Sequence, residues 1–390
     1  MGYLAVLNTL SQHSIRPNTR SDISLRPPSP EMPSESTGLR HFIQRLSDNG
    51  RLVRVKKPTE WRFEIGRMTR QSRSPLLFEN IKEYPGRQVF TNGLSDIDSI
   101  ALALGLECGH SQKSLLAEAR RRMGSLVKPK IVPTGPVLEN IVSASELNLL
   151  QLPVPHWSYK DRGRYLGTWH INVTKDPETG SRNVGVYRMQ MLGPTQATVS
   201  ASPGSHLARQ FAKAEKEGRP LPMAVAIGVS EAVVIAAAAA YPDGMDEYDL
   251  AGALQQAPVP LISCQTAPLE IPANSEIVIE GAIQPGVRVQ DGPYFDYTGT
   301  PNTNPNAFLF EATRLMHRSN PIFRGAAIGV PGAEDHQLFA FLAALNLVDF
   351  HGSRLKQRVQ NFLLKQRLFL AFQFSGKIGP LLRRKIPSRD

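Results

Sequence analysis

Cysteine is almost missing: the 390 residues hold two, Cys108 and Cys264, which excludes a disulfide scaffold and a cysteine-based zinc site. That scarcity fits a reducing compartment, and a cytoplasmic location is expected. No stretch reads as a membrane span. The most apolar one, 223–241 (MAVAIGVSEAVVIAAAAAY), contains Gly228, Ser230 and Glu231, and reads as a buried strand running into a buried helix. The N-terminus lacks the charged-then-apolar pattern of a signal peptide, and Met1-Gly2 is not followed by Ser or Thr at position 6, so the myristoylation pattern fails. Arg16, Arg20 and Arg26 among serines give only a weak likeness to a mitochondrial transit peptide. Nucleotide and protease signatures are missing too: there is no GxGxxG after a strand, no P-loop, no HExxH and no GxSxG.

What is present is the composition of a globular chain, 41% hydrophobic and 20% charged, long enough for two or three domains. The net charge of +11 is concentrated at one end. Residues 351–390 hold ten Lys and Arg against Asp390, hence +9, and the preceding 350 residues carry +2. A specific nucleic-acid role for the body of the protein is therefore not expected.

Residues 1–36, rich in Pro and Ser near their end, read as a disordered lead-in. Thr37 is a plausible helix N-cap, followed by Leu39, Phe42, Ile43 and Leu46 at i, i+3, i+4, i+7 spacing and by an Asn49-Gly50 stop. Strands at 51–55, 76–81 and 87–92 and a helix near 64–70 make 37–130 an α/β domain. From 131 to 330 strands dominate. A hairpin is expected from 168–176 and 183–192 around Pro177-Glu178-Thr179-Gly180. A helix is expected at 205–217, a strand at 276–283, and a loop beginning at Asp291-Gly292-Pro293. The fold class is α+β: an α/β domain, then a β-rich domain closing into a barrel-like sheet. A short basic segment follows at 331–390, part of which reads as a basic amphipathic helix.

Several polar residues stand out in apolar surroundings. Asn183 and Arg188 are five apart, which on an ideal strand puts them on opposite faces unless a bulge or strand end intervenes. His206 opens a helix, Glu247 opens another, and Asp291 and Asp296 flank Gly-Pro-Tyr-Phe. Asn, His and Glu together suit a hard divalent ion, and paired carboxylates suit acid–base work. Taken singly, each also has an ordinary reading as an edge-strand polar residue, a cap, a first-turn acid or a turn aspartate.

Their order decides between these readings. NVGVYR (183–188), PGSH (203–206), DEYDLAGAL (246–254), VPLISC (259–264), IPANSEIVIEG (271–281) and DGPYFDYTG (291–299) resemble the UbiD family of prenylated-FMN-dependent decarboxylases. LRHFIQRLSDNGRLVRV (39–55) and LLFENIK (76–82) resemble its N-terminal domain. The resemblance implies a flavin-reductase-like split barrel holding prenylated FMN over 131–330. Asn183, His206 and Glu247 would bind Mn2+ or another divalent cation beside the cofactor phosphate, with K+ as a further candidate ion. Thr168, Val186 and Ser205 would lie near the flavin. Arg188 would meet the substrate carboxylate, held by Asp291, with Asp296 as the acid that protonates carbon. The implied substrate is an aromatic or α,β-unsaturated acid, the cofactor supplier a prenyl-FMN synthase, and the family assembly a homodimer. This sequence has Asp291 where the family usually has Glu, Phe295 where it has Gly, and a segment after about residue 345 that diverges from the family's C-terminal domain. The competing expectation is a catalytically degenerate flavin-binding relative or partner subunit.

Overall fold

The computed structural model describes residues 37–240, 244–330 and 332–345. The expectations of a disordered lead-in at 1–36 and of a basic amphipathic helix after 345 lie outside them.

The first helix, Leu39–Asp48, buries the four apolar residues of its spacing, Leu39, Phe42, Ile43 and Leu46. Its N-cap is Gly38 rather than Thr37, with no side-chain cap, because the helix begins one residue later than the Thr37 signal suggests. Arg40, on the same helix, reaches across to Glu276 with Nε–Oε1 2.8 Å and Nη2–Oε2 2.9 Å. Strands Val53–Val55, Leu76–Phe78 and Gln88–Thr91 form a mixed sheet. Its fourth strand, Ile322–Arg324, comes from far along the chain and pairs parallel with Gln88–Thr91.

The larger sheet is antiparallel. It runs Gln196–Val199, Pro301–His317, Ile277–Phe295, Leu221–Ile227, His170–Lys175 and Arg182–Gly185, with Asn140–Val142 added on Pro301–His317. It curls into a half-barrel. Leu221–Ile227 explains why the sequence there is apolar at every position. Ala224 and Ala226 enter the core shared with the helices, while Met223, Val225 and Ile227 enter a second core on the other face. A strand covered on both faces loses the polar alternation of a half-exposed one, and each buried Val or Ile contributes about 1.5–3 kcal/mol. The expected helix follows at Glu231–Ala237, capped by Ser230 Oγ, and Glu247–Gln255 packs beside it.

One local reading is corrected. Asp291-Gly292-Pro293 does not begin a loop; it lies inside the 19-residue strand Ile277–Phe295, paired with Pro301–His317 through several register shifts. Tertiary pairing overrides the turn chemistry of Asp-Gly-Pro, and Gly292, at φ +94°, is what lets the strand pass so close to its neighbour. A Cβ there would sit 2.5 Å from the Asn302 carbonyl oxygen. Among the described residues no helix is long and apolar enough to cross a membrane.

Candidate active site

The five-residue separation of Asn183 and Arg188 is resolved by a strand end. The hairpin strand Arg182–Gly185 pairs with His170–Lys175 and stops, and Arg188 lies in the gap before the next short strand, Met189–Gln190. Tyr187 anchors the break. Its N–H donates to Asn172 Oδ1 (3.1 Å), and its carbonyl meets His170 Nε2 (3.0 Å). Burial pulls the His170 imidazole down to about 4, so the ring is neutral near pH 7 and Nε2–H donates to that carbonyl.

Arg188 then meets Asp291. Its Nε and Nη2 lie 2.6 Å and 2.5 Å from the same carboxylate oxygen, Oδ1. Thr198 Oγ1 donates to the other oxygen at 2.6 Å and accepts from Gln190 N at 2.9 Å. Asp291 is fully buried, and burial raises its carboxyl above the usual range while Arg188 and Thr198 pull it back. The guanidinium also lies 5.1 Å from the centroid of the Tyr294 ring. Its Nη1 has no hydrogen-bond partner among the described residues, and the side chain keeps some exposure (17%). A buried carboxylate holding one edge of a guanidinium whose other edge is uncommitted is an anion receptor.

Of the three expected metal ligands, Asn183 meets the hydroxyl of Tyr187. That hydroxyl donates to Asn183 Oδ1 (3.5 Å) and accepts from the N–H of Leu207, the residue after His206 (3.4 Å). Ser205 caps this helix, its Oγ accepting from Ala208 N at 3.3 Å. Glu247 Oε2 accepts from Val184 N at 3.0 Å. Its carboxyl is buried and is pushed up to about 7 mainly by that burial, and among the described residues no cationic side chain lies at ion-pair distance from it. A buried carboxylate, an amide oxygen and an imidazole are together the donor set that suits a hard divalent ion. Among the described residues no three of His, Cys, Asp and Glu form a ready metal cage, so Asn183 and oxygens from a ligand would have to complete the shell.

The remaining expected residues have surroundings of their own. Thr168 is buried, and its Oγ1 accepts from Ala326 N at 3.0 Å. Val186 is partly exposed at the strand break. Asp296 is buried but stands apart from Arg188. Oδ1 accepts from the N–H and the hydroxyl of Thr298, and Oδ2 accepts from Asn302 Nδ2 at 3.0 Å. Both of its oxygens are thus occupied, one by its own turn and one by the strand Pro301–His317.

Sequence reasoning missed Asp161. It is buried, its Oδ1 accepts from Phe295 N at 2.8 Å, and its Oδ2 has no partner. Burial pushes this carboxyl up to about 6 despite the fields of Arg70 and Arg188. Nothing in Ser158-Tyr-Lys-Asp-Arg-Gly distinguishes it from an ordinary turn aspartate. Thr198 and Tyr187 were equally silent, both being common strand residues.

Two family patterns cover most of the chain. Residues 43–122 match the N-terminal domain of 3-octaprenyl-4-hydroxybenzoate carboxy-lyase, and residues 130–331 match its Rift-related domain, UbiD. The chain belongs to the UbiD family. Among related UbiD proteins is the pyrrole-2-carboxylic acid decarboxylase of Pseudomonas aeruginosa, 30% identical over 325 residues, which cover 80% of this chain and 65% of the relative. The vanillic acid decarboxylase of Sedimentibacter hydroxybenzoicus in its closed form superposes with a TM-score of 0.76 at 32% identity, covering 78% of this chain and 67% of that one. An evolved dimeric form of the UbiD-class enzyme HmfF from Pelotomaculum thermopropionicum, solved in complex with prFMN, gives 0.72 at 32% identity over 80% and 71%. The chain spans about two thirds of the length of the curated relatives it matches, between 64% and 71%.

Proposed function

We propose that this UbiD-family chain carries out non-oxidative decarboxylation of an aromatic or α,β-unsaturated carboxylic acid, using prenylated FMN and a divalent cation such as Mn2+. The observation that carries the reading is the Arg188–Asp291 pair, a guanidinium fixed on one edge by a fully buried carboxylate and open on the other. The named activities of the relatives support the same chemistry.

Asn183, His206 and Glu247 would hold the cation, and Thr168, Val186 and Ser205 would line the flavin side. When bound, the prenylated flavin supplies the electron sink for the pair left behind as carbon dioxide departs. The chain's own residues do the rest. Arg188 binds and orients the substrate carboxylate through Nη1, while Asp291 and Thr198 keep its plane fixed, so little orientational freedom is lost at reaction. The aromatic walls of Tyr165 and Tyr294, with centroids 4.2 Å apart, exclude water and strengthen that pairing. Asp296 is the proposed proton donor to carbon. It would have to leave Thr298 and Asn302 to reach a substrate, so proton delivery requires the 296–300 turn to rearrange.

The test is to produce the protein with a prenyl-FMN synthase and manganese, confirm bound cofactor by mass and absorbance, and supply cinnamic-, benzoic- and pyrrole-type acids. Carbon dioxide release, or deuterium exchange at the carbon that loses it, is the expected result. A cofactor-loaded protein that does neither with any of these acids would refute the reading.

A further inference from the structure

A cavity of about 650 Å³ borders the end of the strand that carries Asp291, at Phe295. Tyr294 turns towards Arg188, whereas the next residue, Phe295, turns the other way and forms part of this cavity's wall. Phe63 supplies further aromatic surface, and Arg62, Arg70 and Lys160 supply charge. The volume falls within the range of roughly 300–1,000 Å³ typical of small-molecule sites.

The charges on this wall are unevenly satisfied. The two acids there are already engaged. Glu64 holds Lys57 at 3.3 Å and Arg67 at 3.8 Å, and Glu60 lies 3.6 Å from Lys82. Arg62, Arg70 and Lys160 have no carboxylate at ion-pair distance among the described residues and rest on rings instead. Lys160 Nζ is 4.8 Å and Arg70 Cζ 5.8 Å from the Phe295 centroid, and Arg62 Cζ is 4.5 Å from that of Trp61. Arg70 is fixed in place by the Trp157 carbonyl at 2.6 Å. Phe63 is partly exposed at the wall although its backbone sits at φ +65°, a left-handed conformation that is costly for a bulky side chain.

We propose that this cavity is a second binding site, separate from the Arg188–Asp291 centre, for a small aromatic carboxylate. Its ring stacks between Phe63 and Phe295, and its carboxylate takes the charge of Lys160, Arg62 and Arg70. Cations that rest on rings gain modestly there, and an anion shared among them gains more while the rings keep their contact with an aromatic ligand.

The experiment titrates the full chain with benzoate and, as a neutral match in shape, benzamide. It uses calorimetry on the wild type, on Arg188→Ala and on the double variant Arg62→Ala/Lys160→Ala. Circular dichroism checks that each variant is folded. If the proposal holds, a saturable benzoate site survives in Arg188→Ala, the double variant weakens that site at least about tenfold, and benzamide binds it about tenfold more weakly than benzoate. Three results would overturn it: no saturable benzoate binding, binding lost in Arg188→Ala but kept in the double variant, or equal affinity for benzamide. Should the double variant fail to fold, Lys160→Gln and Phe63→Ala replace it, each expected to weaken the benzoate site that survives in Arg188→Ala severalfold.

Discussion

Replacing Arg324 by Met should cost about 3–5 kcal/mol of folding stability at neutral pH. The guanidinium is 1% exposed, its Nε lies 2.7 Å from Glu231 Oε1, and its Nη1 and Nη2 lie 3.1 Å and 2.5 Å from the two oxygens of Glu334. Methionine keeps much of the volume but leaves two buried carboxylates with no cation. The loss is not twice that of a single pair, because each acid keeps other donors. Trp169 Nε1 stays on Glu231 at 2.8 Å, and Asn92 N stays on Glu334 at 2.8 Å. Burial already raises the Glu231 carboxyl, and removing the arginine raises it further. A carboxyl whose folded value lies above its unfolded one contributes stability at low pH that disappears as pH rises. The deficit of Arg324→Met should therefore shrink between pH 7.5 and pH 5.5. Urea unfolding followed by circular dichroism at both pH values measures this, with the triple variant Arg324→Met/Glu231→Gln/Glu334→Gln expected to recover most of the loss. A single-variant cost below about 1 kcal/mol at pH 7.5, or one that does not change with pH, would refute the reasoning.

Other outcomes follow from the site. Arg188→Ala should lower turnover by about 10²–10³-fold while leaving flavin content near wild type, read by activity and absorbance on the same preparation. Full activity would remove Arg188 from the centre. Glu247→Gln should reduce bound manganese and flavin together, measured by metal analysis and mass spectrometry, and unchanged content would dismiss it as a ligand. Asp161→Asn keeps an acceptor for Phe295 N but removes a carboxyl held at about 6. The wild type should lose stability relative to this variant as pH rises from about 4 to about 6, with a constant difference above that, because a raised carboxyl costs stability once ionised. Unfolding curves at pH 4.5 and 7.5 showing the same difference would contradict that value.

Most elements were legible because their signals are local. The four-residue apolar spacing of Leu39–Asp48, the Pro-Glu-Thr-Gly turn of the hairpin and the amphipathic spacing of 205–217 each specify a conformation within a few residues. The Asp291–Phe295 segment was misread because its conformation is imposed by Pro301–His317 rather than by its own Asp-Gly-Pro. In the candidate site, motif order singled out Asn183, Arg188, His206, Glu247 and Asp291. Spacing alone argued against Asn183 and Arg188 sharing a site, and the strand end after Gly185 removes that objection. Asp161 could not be found this way. Its distinguishing property is its burial in the fold, where it meets Phe295 N more than a hundred residues further along the chain.

The parallel pairing of Ile322–Arg324 with Gln88–Thr91 has a consequence for how the protein is made. A ribosome releases Gln88 more than two hundred residues before its last sheet partner. Through that interval the first sheet has three strands and an open edge at Val89 and Phe90, two residues that end fully buried. Unpaired apolar edges of this kind recruit other chains, so the nascent N-terminal segment is the point at which aggregation competes with folding. Closure of that edge also brings Arg324 onto Glu231 and Glu334, so the sheet and the buried ion network are completed in one late step.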